Sequence, residues 1–210
     1  MDRDDQTLPE AVRIALLRAR HVVSSDSRDV VTSSLRAPNE HARILALRAA
    51  AHHGWLSSDD WDRASRDEVD SVRREVASLL AHQHDTFARR NEILLRLLSD
   101  EDALVVDAAA FALGEAEVVE AVSALISVAS DHEDARCRES AIAALGSIGD
   151  PRAEATVIAA LNDKPPVRRR AVVALTNFDS EAVEQALEAA RDDRDWQVRS
   201  AIDQLDRDVD

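Results

Sequence analysis

Residues 134–151 have the sequence DARCRESAIAALGSIGDP. Cys137, Ala141 and Leu145 are four residues apart in it, so they would lie on one side of an α-helix. Two glycines follow this apolar stripe, and the final Asp-Pro has the order of an N-cap residue and a first helical residue. The stretch therefore predicts a helix, a short turn and the start of a second helix.

The same pattern recurs along the chain at intervals of about 31 residues. Residues 105–113 overlay residues 137–145 from 32 positions upstream, and residues 167–175 overlay them from 30 positions downstream. Weaker copies begin at Ala42, Val72 and Val198. Each repeat then has a helix A, a turn and a helix B, with helix B predicted over residues 86–98, 117–129, 151–161 and 180–191. Because one helix pair cannot bury its apolar stripes alone, the pairs must pack against one another.

Composition agrees with a helical protein. The chain has 210 residues, 45% of them hydrophobic and only 3% aromatic, with four glycines. Enough apolar surface is present for a core, and few glycines and aromatics argue against a β-sandwich or barrel. We expect a single helical domain over residues 8–205, a disordered segment at residues 1–7 and an acidic tail at residues 206–210.

The sequence also restricts the cellular compartment and the kinds of partner that we expect. One cysteine excludes an internal disulfide and fits a reducing compartment, and no apolar run approaches the roughly 20 residues of a membrane span. We therefore expect a cytoplasmic protein that does not bind membranes. The net charge of −15 disfavours nucleic acid, because phosphate contacts need basic side chains in register.

The glycines support the register of the repeats. All four fall in predicted turns between helix A and helix B, where a C-cap of positive φ is expected. They are Gly54, Gly114, Gly146 and Gly149.

The motif of residues 134–151 resembles the HEAT repeat, in the short variant that is also found in bilin (PBS) lyases. Residues 163–170 and 192–199 are also similar to actinobacterial HEAT-repeat proteins. The resemblance implies an all-α, right-handed α-solenoid of about six to seven helix pairs, with the B helices on its concave face. It also implies a ladder of Arg and Asp through the turns. The arginine column would be Arg43, Arg73, Arg138, Arg168 and Arg199, interrupted by Val106.

Aligning the B helices predicts a surface of small and mixed-charge side chains. A channel of small residues would let a partner helix or an extended peptide approach closely, although the same residues could serve only to pack neighbouring B helices. Acidic residues nearby favour a basic partner, or they could serve only solubility. The predicted partner-binding residues are Arg89, Glu92, Arg96, Glu120, Ser123, Ser127, Arg152, Ala155, Ala159 and Gln185.

Two groups of side chains raise the question of enzymatic chemistry. Histidines cluster near the ends of the early A helices, where imidazoles could bind zinc or could simply be favoured by the helix dipole. They are His52, His53, His82 and His84. Cys137 could be a nucleophile or a bilin attachment site, but its place in the apolar stripe favours a buried hydrophobic residue.

The metal chemistry of one HEAT-like enzyme is not supported by the sequence. Deoxyhypusine hydroxylase holds iron through His-Glu pairs that follow the Val-Arg positions of helix A, and here Glu139-Ser140 and Arg169-Arg170 stand there instead. The sequence therefore favours a monomeric, non-enzymatic scaffold without a cofactor, which binds a protein or peptide on the concave face. The alternative is an accessory enzyme of the bilin-lyase or metal-hydroxylase kind.

Overall fold

The computed structural model describes residues 8–21, 25–82 and 89–209. The chain divides into two compact units, Met1–Ile93 and Leu94–Asp210, and each is described by itself. The interpretation of residues 8–205 as one domain stays a prediction, and the segment 1–7 lies outside the described residues. None of the described helices is both long and apolar enough to span a lipid bilayer.

The helices of the first unit pack around α3 and α5. Contacts join α1 to α3, α2 to α3, α3 to α5 and α4 to α5. The helix bounds are α1 Glu10–Ala19, α2 Ser25–Ser34, α3 Glu40–His52, α4 Ser58–Ala64 and α5 Asp70–Ala81, and α6, Arg90–Leu97, contains the division between the units.

The second unit alternates long A helices with shorter B helices, as the repeat predicts. The A helices are α7 Ala103–Glu115, α9 Ala135–Ile148, α11 Pro165–Leu175 and α13 Trp196–Val209. The B helices are α8 Val122–Asp131, α10 Glu154–Ala159 and α12 Glu181–Ala190, with short 3₁₀ turns at Val119–Ala121, Pro151–Ala153 and Ala160–Asn162. Helix α7 packs on α9, α9 on α11 and α11 on α13.

The C-terminal helix extends beyond the repeats assigned from the sequence. Helix α13 continues to Val209, so residues 206–209 belong to a helix rather than to a tail that follows one. No glycine or proline follows Pro166, so no helix-breaking residue ends the helix earlier.

The predicted apolar stripe forms the core of the second unit. Its nine members on α7, α9 and α11 are fully inaccessible to solvent, which confirms the helical register read from the repeat. They are Val105, Ala109, Leu113, Cys137, Ala141, Leu145, Val167, Ala171 and Leu175.

The interpretation of the glycines as positive-φ C-caps is wrong for two of the four. Gly54 and Gly149 do have positive φ, of 66° and 63°, but Gly114 and Gly146 lie inside α7 and α9. A Cβ added to Gly146 would lie 2.6 Å from the Cβ of Ala174 on the next A helix. A Cβ on Gly114 would lie 2.7 Å from the Cα of Ala144. These two glycines are therefore required by the close approach of adjacent A helices, and not by backbone conformation.

Arginines of the A helices form the ladder that the family resemblance implies. In the first unit, Arg43 donates two hydrogen bonds to the Asp67 carboxylate, at 2.8 and 2.7 Å. In the second unit, Arg138 binds Asp163 at 2.6 Å through both nitrogens, and Arg168 binds Asp193 at 2.8 and 2.7 Å. Each bond joins a helix A to the loop that leads into the next helix A.

The same arginines also hold the loop before their own helix. The third guanidinium nitrogen of Arg138 donates to the carbonyl oxygens of His132 and Glu133, and that of Arg168 donates to the carbonyl of Asp163. Arg73 and Arg199 make the corresponding bond to the carbonyls of Asp67 and Asp193. One guanidinium thus connects two successive loops and satisfies most of its own donors.

The ladder is interrupted where the sequence predicts. Val106 is buried and carries no charge. The aspartate at the corresponding loop position, Asp131, is exposed, and no side chain in the described part of the chain hydrogen-bonds to its carboxylate. Asp131 is therefore a suitable control for the aspartates of the ladder, because it occupies the same loop position without an arginine partner.

Replacing Gly146 by alanine should destabilise the second unit, although alanine is the better helix former by about 1 kcal/mol. Overpacking against Ala174 costs typically about 1–3 kcal/mol, so we expect a lower free energy of unfolding in urea. The matched control is Ser147→Ala in the same helix, which is exposed and should leave stability unchanged or slightly higher. A Gly146→Ala variant as stable as the control would contradict the close-approach explanation.

Asp193→Asn should lower the free energy of unfolding by about 3 kcal/mol, because it leaves the nearly buried Arg168 guanidinium, with 4% of its side chain exposed, without a counter-charge. Asp131→Asn is the matched control, and its effect should stay within about 0.5 kcal/mol. Denaturant unfolding followed by circular dichroism measures both. Equal effects of the two substitutions would show that the ladder bond contributes nothing.

Stability should fall as the pH drops below about 4, the ordinary range of an aspartate pKa. Hydrogen bonds from Arg138 and Arg168 hold the pKa of Asp163 and of Asp193 below its ordinary value in the folded chain. A lowered folded-state pKa contributes stability above the unfolded pKa, and this contribution is lost as the pH falls through the folded pKa. Unfolding measured from pH 6 to pH 2 should show a smaller acid-induced loss in Asp193→Asn than in the unsubstituted chain. An unchanged slope would contradict this origin of the pH dependence.

Candidate functional site

Exposed small side chains line one side of the B helices in the second unit. Each B helix buries its other side, through residues such as Leu125 on α8, Val157 on α10 and Val183 on α12. The helices contact one another in the order α8, α10, α12. We call their exposed side the B-face. All six of its residues are exposed: Ser123, Ser127, Ala155, Ala159, Gln185 and Ala189.

The charges beside the B-face are mostly acidic. Glu184, Glu188 and Asp192 border a shallow hollow with Gln185 and Ala189 on α12. Glu120 is exposed at the start of the α8 segment. This border would attract cations and repel anions.

Arg152 belongs to a local structure rather than to a free basic patch. Its guanidinium binds the Asp150 carboxylate at 2.8 Å and the Val119 carbonyl at 3.3 Å. The hydrogen bonds from the side chain of Arg152, first, and from its backbone amide lower the pKa of Asp150 to about 2. The positive charge of Arg152 is therefore compensated next to the B-face.

The remaining predicted partner-binding residues are divided between the two units. Arg89 and Glu92 belong to the first unit, where the Arg89 guanidinium lies 3.3 Å from Asp62 and 3.4 Å from Glu92. Arg96 is half-buried in the second unit. The structure thus brings seven of the ten predicted residues to the B helices α8, α10 and α12 or the turns before them.

The candidate histidines that the structure describes do not converge on a metal site. The Nε2 atom of His53 lies 2.7 Å from the Ala19 carbonyl oxygen, and its ring stacks on Trp55 at 4.4 Å between centroids. His52 contacts His53 edge-on, while His82 is exposed at the end of α5. His84 lies outside the described residues. Within residues 8–21, 25–82 and 89–209, no three or more His, Cys, Asp or Glu side chains are grouped as metal ligands would be.

Cys137 has the surroundings of a structural thiol. It is fully buried in α9, and its Sγ donates to the Ala103 carbonyl at 3.1 Å. Burial, assisted by Asp134 and Asp107, raises the pKa of Cys137 to about 11. The Nδ1 atom of His132 accepts a hydrogen bond from the Asp134 amide, and the Cys137 thiol donates to a backbone carbonyl instead. The thiolate needed for nucleophilic chemistry is therefore disfavoured.

Sequence reasoning missed a second surface, on the A helices. Phe111, Val173 and Trp196 are 47%, 45% and 66% exposed, which is unusual for large apolar side chains in this unit. Hollows of about 260 Å³ and 390 Å³ lie between α7, α9 and α11 and between α11 and α13. The repeat could have indicated this surface. Phe111 and Val173 lie two residues before Leu113 and Leu175, the last members of the buried stripe on their helices, and they therefore lie on the opposite side of each helix.

Comparison with known proteins supports the fold. Solved structures that resemble the chain include the CpcE–CpcF complex of phycocyanin lyase from Nostoc sp. PCC7120, with 20% identity and a TM-score of 0.62, covering 83% of this chain and 74% of that one. The YibA protein of Escherichia coli has 17% identity and a TM-score of 0.66, covering 95% of this chain and 75% of that one. A designed armadillo repeat protein in complex with the peptide (KR)4 has 17% identity and a TM-score of 0.56, covering 93% and 97%.

These likenesses establish a helical solenoid fold of the HEAT and armadillo kind. No curated protein matches the sequence. The family of HEAT repeats, however, matches residues 61–145 and 122–206, which together are more than half of the chain. The chain therefore belongs to the HEAT-repeat family.

Proposed function

We propose that the chain is a non-enzymatic scaffold that binds a basic peptide or protein segment on the B-face, which corresponds to the concave face of a HEAT-like solenoid. The proposed contact residues in the second unit are Arg96, Glu120, Ser123, Ser127, Arg152, Ala155, Ala159 and Gln185. Arg89 and Glu92, which lie in the first unit, stay a prediction from the sequence.

The observation that carries the proposal is the exposure of small side chains on three successive B helices. Ser127 and Ala159 are exposed although a solvent-facing helix position ordinarily has a long charged side chain. Short side chains allow a partner helix or an extended peptide to come close to the B helices. If small residues served only to pack the B helices together, they would be expected in the interface and not on the exposed side.

Charge favours a basic partner over an acidic one. The net charge is −15, and Glu184, Glu188 and Asp192 border the B-face. Complementary charge speeds association and selects the partner. The designed armadillo protein that resembles this chain is in complex with the basic peptide (KR)4, and in the Nostoc structure CpcE is in complex with CpcF. Both support a protein or peptide ligand.

The described residues give little support to the enzymatic alternative. Similarity to the phycocyanin lyase complex concerns the fold, since identity is 20%. Cys137 is buried with a raised pKa, and His53 is held by Ala19 and Trp55. We therefore favour a scaffold over a bilin lyase or a metal hydroxylase.

The double substitution Ser127→Arg with Ala159→Arg should weaken binding of fluorescein-labelled (KR)4 by about tenfold or more, which corresponds to about 1.4 kcal/mol. Two bulky cations would fill the channel and repel the probe, while the melting temperature should not change because both positions are exposed. Fluorescence anisotropy titrations at two salt concentrations measure the affinity, and raising the salt should weaken binding to the unsubstituted chain.

A control of equal charge is Ser147→Arg with Thr176→Arg, at exposed positions near the ends of the A helices α9 and α11. It should weaken binding only slightly. Unchanged affinity in the B-face variant, or an equal loss in both variants, would show that the B-face is not the binding site.

A further inference from the structure

The hollow between α11 and α13 has a composition unlike the rest of this acidic chain. Its volume is about 390 Å³, and its charged lining residues, in the described part of the chain, are two arginines, Arg169 and Arg170, with no aspartate or glutamate among them. Val173 and Trp196 supply apolar walls, and Ser200 is one of the small residues at its base.

The two arginines differ in their partners. Arg169 donates to the neutral side-chain oxygen of Gln197 at 3.3 Å. Arg170 makes a loose ion pair with Glu139 at 3.7 Å, which is too long for a hydrogen bond, and 44% of the Arg170 side chain is exposed. The neighbouring Arg168, by contrast, points inward and is paired with Asp193. Both Arg169 and Arg170 therefore present exposed guanidinium groups beside the hollow, and a carboxylate of a partner could take their hydrogen-bond donors.

The two apolar side chains of the hollow are unusually exposed for large apolar residues. Trp196 has 66% of its surface accessible and Val173 has 45%. Tryptophan and arginine dominate the binding energy of protein interfaces, whereas aspartate and glutamate are depleted there. The combination of an exposed tryptophan, two arginines and no carboxylate is that of an interface centre.

We propose that the hollow between α11 and α13 binds an acidic peptide segment of another protein, with an apolar side chain against Trp196 and Val173 and carboxylates on Arg169 and Arg170. Arginine can bind a carboxylate through two parallel hydrogen bonds. This site lies on A helices, and it is independent of the B-face, which would take a basic partner.

Charge decides between a peptide and a nucleic acid, which could also use arginine and tryptophan. A nucleic acid has a negative charge on every nucleotide and would meet the net charge of −15 along its whole length. A peptide can place two carboxylates at the arginines and have neutral residues elsewhere. The peptide is therefore the better match.

The test uses the full chain and an array of nine-residue peptides in which Asp and Glu flank a central position that is varied over all amino acids. We expect binding of the members with a central Trp, Phe or Leu, and about tenfold weaker binding or none with Ser or Gly. Arg169→Glu with Arg170→Glu, and separately Trp196→Ala, should each weaken binding by about tenfold or more. All three positions are exposed, so the melting temperature should be unchanged.

The charge-matched control is Arg194→Glu with Arg207→Glu, at exposed arginines outside the hollow, and it should retain affinity within about threefold. The B-face variant Ser127→Arg with Ala159→Arg should also retain it, which separates this site from the function proposed above. As a second readout, a bound peptide should reduce acrylamide quenching of tryptophan fluorescence, because Trp196 is far more exposed than the buried Trp61.

Four results would overturn the proposal. The first is that no acidic peptide binds. The second is an equal loss of affinity in the hollow variant and its charge-matched control. The third is that a single-stranded oligonucleotide, and not the peptides, depends on Arg169 and Arg170. The fourth is self-association in sedimentation experiments that the hollow variant abolishes, since the occupant would then be a second copy of this chain.

Discussion

The bond between an arginine of one helix A and the aspartate 24 or 25 residues later is the constraint on which the repeats depend. The side chains of these arginines are only 4–13% exposed, so their guanidinium groups have lost most of their hydrogen bonds to water. Bonds to the aspartate carboxylate and to backbone carbonyls take the place of the bonds to water. The bond therefore fixes the distance and rotation between successive helix pairs. The same aspartates accept hydrogen bonds from backbone amides of their own loops, so each loop is held both by the ladder and by its own residues.

Close packing of the A helices follows from a second, steric constraint. Gly114 and Gly146 have no Cβ where the next helix brings Ala144 and Ala174 to within 2.9 Å of that position. Small residues on both partners let the helix backbones approach, which increases the dispersion contacts of the surrounding core. The same lack of side-chain volume leaves the hollow of about 260 Å³ on the outer side of these helices.

The B-face and the hollow between α11 and α13 have opposite electrostatic character. On the B helices, exposed glutamates and an aspartate border small neutral side chains. On the A helices, arginines that the ladder does not use lie beside an exposed tryptophan. Because helices A and B each bury one stripe, their remaining faces point to different sides, and substitutions can change one without disturbing the other. The proposed basic and acidic partners would therefore use separate surfaces.

The helix pairs and the apolar stripe could be predicted from the amino-acid pattern, because residues four apart lie on one side of a helix and that side must be buried. The family resemblance implied the ladder, and the uncharged Val106 showed where it is interrupted. The roles of Gly114 and Gly146, and the pairing of Arg152 with Asp150, became clear from the packed helices. The packed helices also showed that one hollow is lined by Arg169 and Arg170 of α11 and by Trp196 of α13. Such facts depend on how neighbouring helices approach and rotate, which no single helix encodes in its own pattern.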